Sequence, residues 1–275
     1  MPTSPSPRRG AKPSPAPPPR RLWPYLLVVF GVAVLAVAIS ALPASLVTHF
    51  LPVSVHAEDF SGSVWHGSAG RIAVAAHDAG ALEWRLHPGA LLQMKVAAEL
   101  HWVKGAFLVD GNVEVDRGTL LASHLEGGGP IEDLRDLGVA PGWRGIAKIQ
   151  VEQLKTGLSS DAPSLQAAVG TIGVSNLASA QVAGGVDLGG YLLRFADPAI
   201  TPDSEASAEL TDTGGPLGVD ATIHFDARER RGTLSGTIKE RDDAPAALRA
   251  QLDNLAQLRP RDAQGRLPVD LEFTL

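Results

Sequence analysis

Ala81-Leu82-Glu83-Trp84-Arg85-Leu86 alternates apolar and charged residues with a period of two. Successive side chains of an extended strand point to opposite faces. Leu82, Trp84 and Leu86 therefore share one face, and Glu83 and Arg85 share the other. One side suits a core and one suits water, which is the pattern of an antiparallel sheet rather than a buried parallel one.

The same rhythm recurs along the rest of the chain. Arg71 to Ala75 and Val96 to Val103 read as strands, and Ala106 to Val115 as a pair of short ones around Asp110-Gly111-Asn112. Gly118 to Leu125, Ile146 to Lys155, Thr171 to Leu177 and Ala180 to Leu188 continue the series. Tyr191 to Phe195, Ala206 to Leu210, Gly218 to Phe225 and Gly232 to Lys239 complete it. Glycines and prolines fall between the runs, as turns between antiparallel strands require. Two segments depart from the pattern. Pro130 to Leu137, followed by Gly138, reads as a short capped helix, and Ala244 to Leu258 carries Leu248, Leu252, Leu255 and Leu258 at helical spacing.

A faint duplication links these features. Ala98-Glu99-Leu100 recurs as Ala208-Glu209-Leu210, and Gly118-Thr119-Leu120 recurs as Gly232-Thr233-Leu234. Each Gly-Thr-Leu precedes a proline, Pro130 or Pro245, that opens a leucine-bearing helix. The fold class is mainly β: a curved antiparallel meander over 49–275 with two short helices, built as one unit or as similar halves, 49–140 and 141–275. Such a sheet has an apolar face that the helices or a partner must cover.

Ahead of the meander, no charged residue occurs between Arg21 and Glu58, while Arg8, Arg9, Lys12, Arg20 and Arg21 precede the gap. Residues 22–48 read as a single N-terminal transmembrane helix, since about 20 apolar residues span a bilayer core. The basic flank places the N-terminus in the cytoplasm and the rest across the membrane. The competing reading is a cleaved signal, with weak sites at Ala36-Val37-Ala38 and Ala41 to Ala44, although the apolar run exceeds the usual h-region. Residues 1–21, rich in Pro, Ser and Arg, read as a disordered cytoplasmic tail.

The net charge of −6 is spread without long runs, so the chain has no footprint of a nucleic-acid binder. With no cysteine, thiol chemistry and thiolate metal sites are excluded. No nucleophile elbow, His-Glu-x-x-His, Walker loop or dinucleotide fingerprint occurs. Gly127-Gly128-Gly129-Pro130 lacks the Lys and Ser/Thr of a phosphate cradle and reads as a flexible turn. His66, His77, His87 and His101 lie in one strand-rich stretch but form no tight ligand pair, so they read as surface histidines. The carboxylate pairs Glu58-Asp59, Glu132-Asp133 and Asp242-Asp243 read as sitting beside turns or helix starts. No metal, cofactor or catalytic residue is assigned.

Four tryptophans, Trp65, Trp84, Trp102 and Trp143, remain as possible surfaces for sugar, lipid or protein. Trp84 and Trp102 follow the apolar phase of their strands and belong with the core. Trp65, between Gly62 and Gly67, has a special backbone setting. Trp65 and Trp84 are the candidates for partner contact.

The order of an anchor, Gly62-Ser63-Val64-Trp65-His66-Gly67, then Leu82-Glu83-Trp84-Arg85-Leu86 with Pro88, resembles the type II secretion system protein N family. That family carries G-x-x-W-x-G after its anchor and W-x-L-x-P in the next strand pair. The stretch from Gly218 to Leu275, with Gly232 to Thr237 and the closing Gly265 to Phe273, resembles its second half. The resemblance implies a non-catalytic accessory subunit in the cell inner membrane, single-pass, with a periplasmic domain, that serves export of folded proteins. It implies association with the protein C and protein D components, and no enzymatic activity or cofactor. On pattern alone, the meander is also similar to AsmA-like proteins, whose curved sheets shield lipid acyl chains.

Overall fold

The computed structural model describes residues 42–50, 55–75, 77–158, 163–182, 184–201, 206–226 and 231–274, and most of the alternating runs within them are strands. The strands are β1 (Val55–Gly62), β2 (His66–Val74), β3 (His77–Leu86), β4 (Val96–Lys104), β5 (Phe107–Asp116), β6 (Thr119–Pro130) and β7 (Trp143–Leu158). They continue as β8 (Pro163–Ser179), β9 (Gly190–Asp197), β10 (Ala206–Gly214), β11 (Leu217–Asp226), β12 (Arg231–Glu240) and β13 (Leu267–Thr274). Each pairs antiparallel with the next in chain order, giving one curved sheet of thirteen strands without a crossover. The meander is thus continuous across position 140, where β6 pairs with β7 along most of its length.

The two Ala-Glu-Leu segments fall in β4 and β10, and the two Gly-Thr-Leu segments open β6 and β12, six strands apart in each case. A 3-10 helix, Ile131–Leu137, follows β6, and α2 (Ala246–Leu258) follows β12. Gly138, at φ 106, ends the first helix in the left-handed conformation that glycine adopts most readily. A single turn, α1 (Pro88–Leu91), sits between β3 and β4.

Several expectations are corrected. Asp110-Gly111-Asn112 makes no hairpin: β5 runs straight through it, and Gly111 faces a bulge formed by His124 and Leu125 of β6. A side chain at Gly111 would collide with Leu125, so glycine here serves close packing rather than a turn. Gly127, Gly128 and Gly129 are likewise no flexible turn. They lie in β6 between β5 and β7, where a Cβ would meet the Leu108 carbonyl, the Ala147 carbonyl and the Phe107 Cα respectively. Ala180 to Leu188 forms turns with one isolated bridge, Ala178 to Asp187, because Gly184 and Gly185 take φ of 73° and 90°. Glu58-Asp59 belongs to edge strand β1, not to a turn. β1 and β13 were not among the expected strands.

The described residues belong to a unit that begins at Leu42. Pro43 bridges to Ser63, and Ala44–Phe50 forms a 3-10 helix against β1 and β2, with Ala44 2 % exposed. The last residues of the 22–48 stretch are therefore part of the folded body. Residues 1–41, and with them the tail and the greater part of the expected membrane span, lie outside the described residues. Among the described residues no helix is long and apolar enough to cross a membrane.

Candidate functional site

The register of the sheet turns thirteen separate alternations into two continuous chemical lines. Residues paired directly across antiparallel strands share a face. One line runs Gly62, Gly67, Trp84, Leu100, Gly111, Leu125, Val151, Gly170, Phe195, Ala208, Ile223, Leu234, Leu271, with Leu125 reached across the β6 bulge. It crosses every strand without a polar side chain. A second line two positions along, from Phe60 through Leu82, Ile149 and Leu193 to Val269, is equally apolar.

One residue away on each strand, the chemistry inverts. Ser61, Ser68, Glu83, His101, Asp110, Glu126, Gln150, Thr171, Arg194, Glu209, Thr222, Ser235 and Asp270 form the matching line on the other face. Gln150 and Arg194 are exposed, whereas Val151, Ile172 and Leu193 are half-buried. Ion pairs decorate the polar face, among them Arg85 to Glu99 at 3.3 Å and His101 to Asp110 at 2.5 Å. Pairs this exposed contribute about 0–1 kcal/mol each and serve solubility more than stability.

Among the described residues, the apolar face is closed at the strand ends rather than over its middle. Ile131 and Leu134 of the 3-10 helix pack on Phe107, Trp102, Val109 and Ala147. Leu248 and Leu252 of α2 pack on Leu217, Leu267 and Leu188, with Trp143 touching both clusters. At the opposite strand ends, Ile200 packs on Ala168, Ala206, Phe195 and Phe225. The expectation that two short helices cover the face holds only for one end of it.

A buried cation secures the first helix. The Lys104 side chain is 9 % exposed, and its Nζ donates to the Asp78 carbonyl (2.7 Å), Asp78 Oδ2 (3.2 Å) and Asp136 Oδ2 (3.0 Å). Burial pulls the ammonium's pKa down, but the bonds to Asp136 and Asp78 outweigh it and hold the pKa above the ordinary lysine value. Asp133 Oδ2 accepts from the Ala106 N–H at 2.7 Å, tying the same helix to the β4–β5 turn. Near α2, Tyr191 donates its hydroxyl to the Leu188 carbonyl at 2.8 Å. Burial, followed by the charges of Asp212 and Asp187, pushes its pKa up to about 12, so it stays neutral.

The candidate tryptophans meet at the β1–β2 turn. The Ser63 N–H donates to the His66 carbonyl at 2.8 Å, and Gly62 takes φ 79° to close the turn. Trp84 Nε1 donates to the Val64 carbonyl at 2.9 Å, and the Leu86 N–H donates to the Trp65 carbonyl at 2.7 Å. Phe60 stacks edge-on against Trp84 with centroids 6.3 Å apart. The G-x-x-W-x-G element is therefore the seat of the β3 tryptophan. Trp102 has the core role read from its phase, donating to the Ala79 carbonyl at 2.6 Å and lying against Phe107.

Among the described residues no group of three or more His, Asp or Glu could hold a metal. His87 and His101 each pair with a single carboxylate, Glu99 and Asp110. The sequence reading missed Lys104 and the register lines, because pairing partners lie in other strands. A scan for a lone lysine in apolar phase, as in Trp102-Val103-Lys104, would have found the first.

Residues 54–270 match the family model for type II secretion system (T2SS), protein N. No curated protein and no solved structure matches the chain significantly. A match over this much of the sequence, on a fold whose turn and tryptophan seat are those of the motif, settles membership: the chain belongs to the type II secretion system protein N family.

Proposed function

We propose that the protein is a non-catalytic accessory subunit of the type II secretion machinery, anchored in the inner membrane and working through its sheet in the periplasm. The anchor in this reading lies in the 22–48 stretch, which is free of charged residues and longer than the about 20 residues a helix needs to cross a bilayer core. The basic residues before it favour a cytoplasmic N-terminus. Tethering raises the effective concentration of the sheet at neighbouring envelope proteins.

The observation that carries this reading is the apolar line crossing all thirteen strands, covered among the described residues only at the strand ends. An apolar surface of this extent on an open sheet marks an interaction site. Its partners in this reading are the protein C and protein D components, with Trp65 and Trp84 at the near edge of the contact. Purification of the tagged full-length chain from membranes is expected to bring these components with it. Purification without them, together with normal secretion in a deletion strain, contradicts the proposal.

A second reading is favoured by the same line. The sheet resembles AsmA-like proteins in pattern, and a continuous apolar face suits acyl chains. Native mass spectrometry of the full-length protein after mild extraction distinguishes the two. Retained phospholipid supports lipid handling, and its absence together with protein partners supports assembly.

A further inference from the structure

The connection between β3 and β4 is the most exposed apolar feature among the described residues. Leu92 is 91 % exposed and Met94 81 %, with Leu91 at 46 % and Val96 at 44 %. A soluble turn is normally polar, and an apolar one on display marks a contact. This tip is not slack: the Gln93 N–H donates to the Ala90 carbonyl at 2.9 Å, Met94 to Leu91 at 3.0 Å and Lys95 to Ala90 at 3.1 Å. Met94 is held at φ 59°, a conformation unfavourable for a side-chain-bearing residue, at the point of greatest apolar exposure.

Its place in the fold identifies the occupant. The Val64 N–H donates to the Leu42 carbonyl at 2.9 Å, and the Leu86 N–H donates to the Trp65 carbonyl at 2.7 Å. Two hydrogen bonds thus link the first described residue to the strand that leads into the tip. Leu42, the β1–β2 turn with Trp65, and the Leu91–Met94 tip all lie at one end of the strands. The β5–β6 turn is at the same end, and there Arg117 has its side chain 86 % exposed. The stretch without Asp, Glu, Lys or Arg, 22–57, includes Leu42 and the twenty residues before it.

We infer that the Leu91–Met94 tip inserts into the interface of the bilayer that holds the anchor, with Arg117 toward lipid phosphate. This inference rests on the anchor reading given above.

The chain has no cysteine, so Leu92→Cys gives a unique labelling site. Full-length protein carrying an environment-sensitive fluorophore there is reconstituted in phosphatidylethanolamine–phosphatidylglycerol vesicles, with and without doxyl-labelled lipid. Gln264→Cys, in the exposed turn before β13 at the other strand end, is the control. The label at 92 is expected to lose at least half its emission to doxyl lipid and to resist aqueous iodide, and the label at 264 to do the reverse. Vesicle flotation reads the anchor separately. Protein that floats while the label at 92 is as open to iodide as that at 264 overturns the inference alone, including the case in which a protein partner is the true occupant. Protein that fails to float overturns the anchor reading and the inference with it.

Discussion

The indole of Trp84 occupies the space that a side chain at Gly67 would need: a Cβ built there would lie 2.6 Å from Trp84 Cζ2 and 2.6 Å from the Ser63 carbonyl oxygen. Gly67 and Trp84 are directly paired across β2 and β3, so glycine at one is a condition for tryptophan at the other. Gly67→Ala is expected to destabilise the protein by about 1–3 kcal/mol through overpacking. Denaturant unfolding checks this, and Gly89→Ala, where a Cβ meets nothing within 4 Å, should change little.

α2 is held by two of its leucines. Leu248 is 2 % and Leu252 6 % exposed, whereas Leu255 is 51 % exposed. Leu248→Ala or Leu252→Ala should cost about 2–5 kcal/mol, and Leu255→Ala less than about 1 kcal/mol. Equal losses at all three positions in thermal unfolding would mean that the helix packs by another face.

Much of this was legible in the sequence, and what was not has a physical cause. Period-two alternation named β2 to β12 but neither β1 nor β13, and the phase of Leu82, Trp84 and Leu86 named the apolar face. The leucine spacing of α2 and the glycine stop of the Ile131–Leu137 helix were equally plain. Gly111 and Gly127 to Gly129 misled because glycine serves both turns and close strand approach, and only the neighbours' backbones decide between them. The continuous apolar line across the sheet depends on register, a relation between strands that no single window contains.

The Lys104 cluster predicts a pH window. The Gly80 N–H, and then Lys104, hold Asp78 below the ordinary aspartate value of 3.8. A depressed carboxylate contributes stability above its unfolded value and loses it as pH falls through its folded value. Lys104, held above 10.5, contributes below that pH and loses its contribution as pH rises through its folded value. The contribution is therefore full from about pH 5 to 10 and lost on both sides. Lys104→Ala should cost about 1–3 kcal/mol within that window, and less than wild type's loss should remain outside it. The carboxylates left behind stay more than half exposed, so no buried-charge penalty is added.

Val151 and Gln150 are adjacent in sequence and opposite in face. Val151→Asp places an unpaired carboxylate in the apolar line and should cost about 1–3 kcal/mol, with loss of whatever that face binds. Gln150→Asp, on the exposed side, should stay within about 0.5 kcal/mol of wild type. Parallel melting curves and secretion assays on the two variants check both parts.

Photocrosslinking in the intact membrane reads out whether the apolar face is the working surface. A photoreactive residue is placed in turn at Val151 and Leu193 on one face and at Gln150 and Arg194 on the other. Adducts with secretion subunits, or with phospholipid, from Val151 and Leu193 and not from their neighbours are the predicted result. Adducts formed as readily from Gln150 and Arg194, with Val151 and Leu193 unreactive, would contradict it.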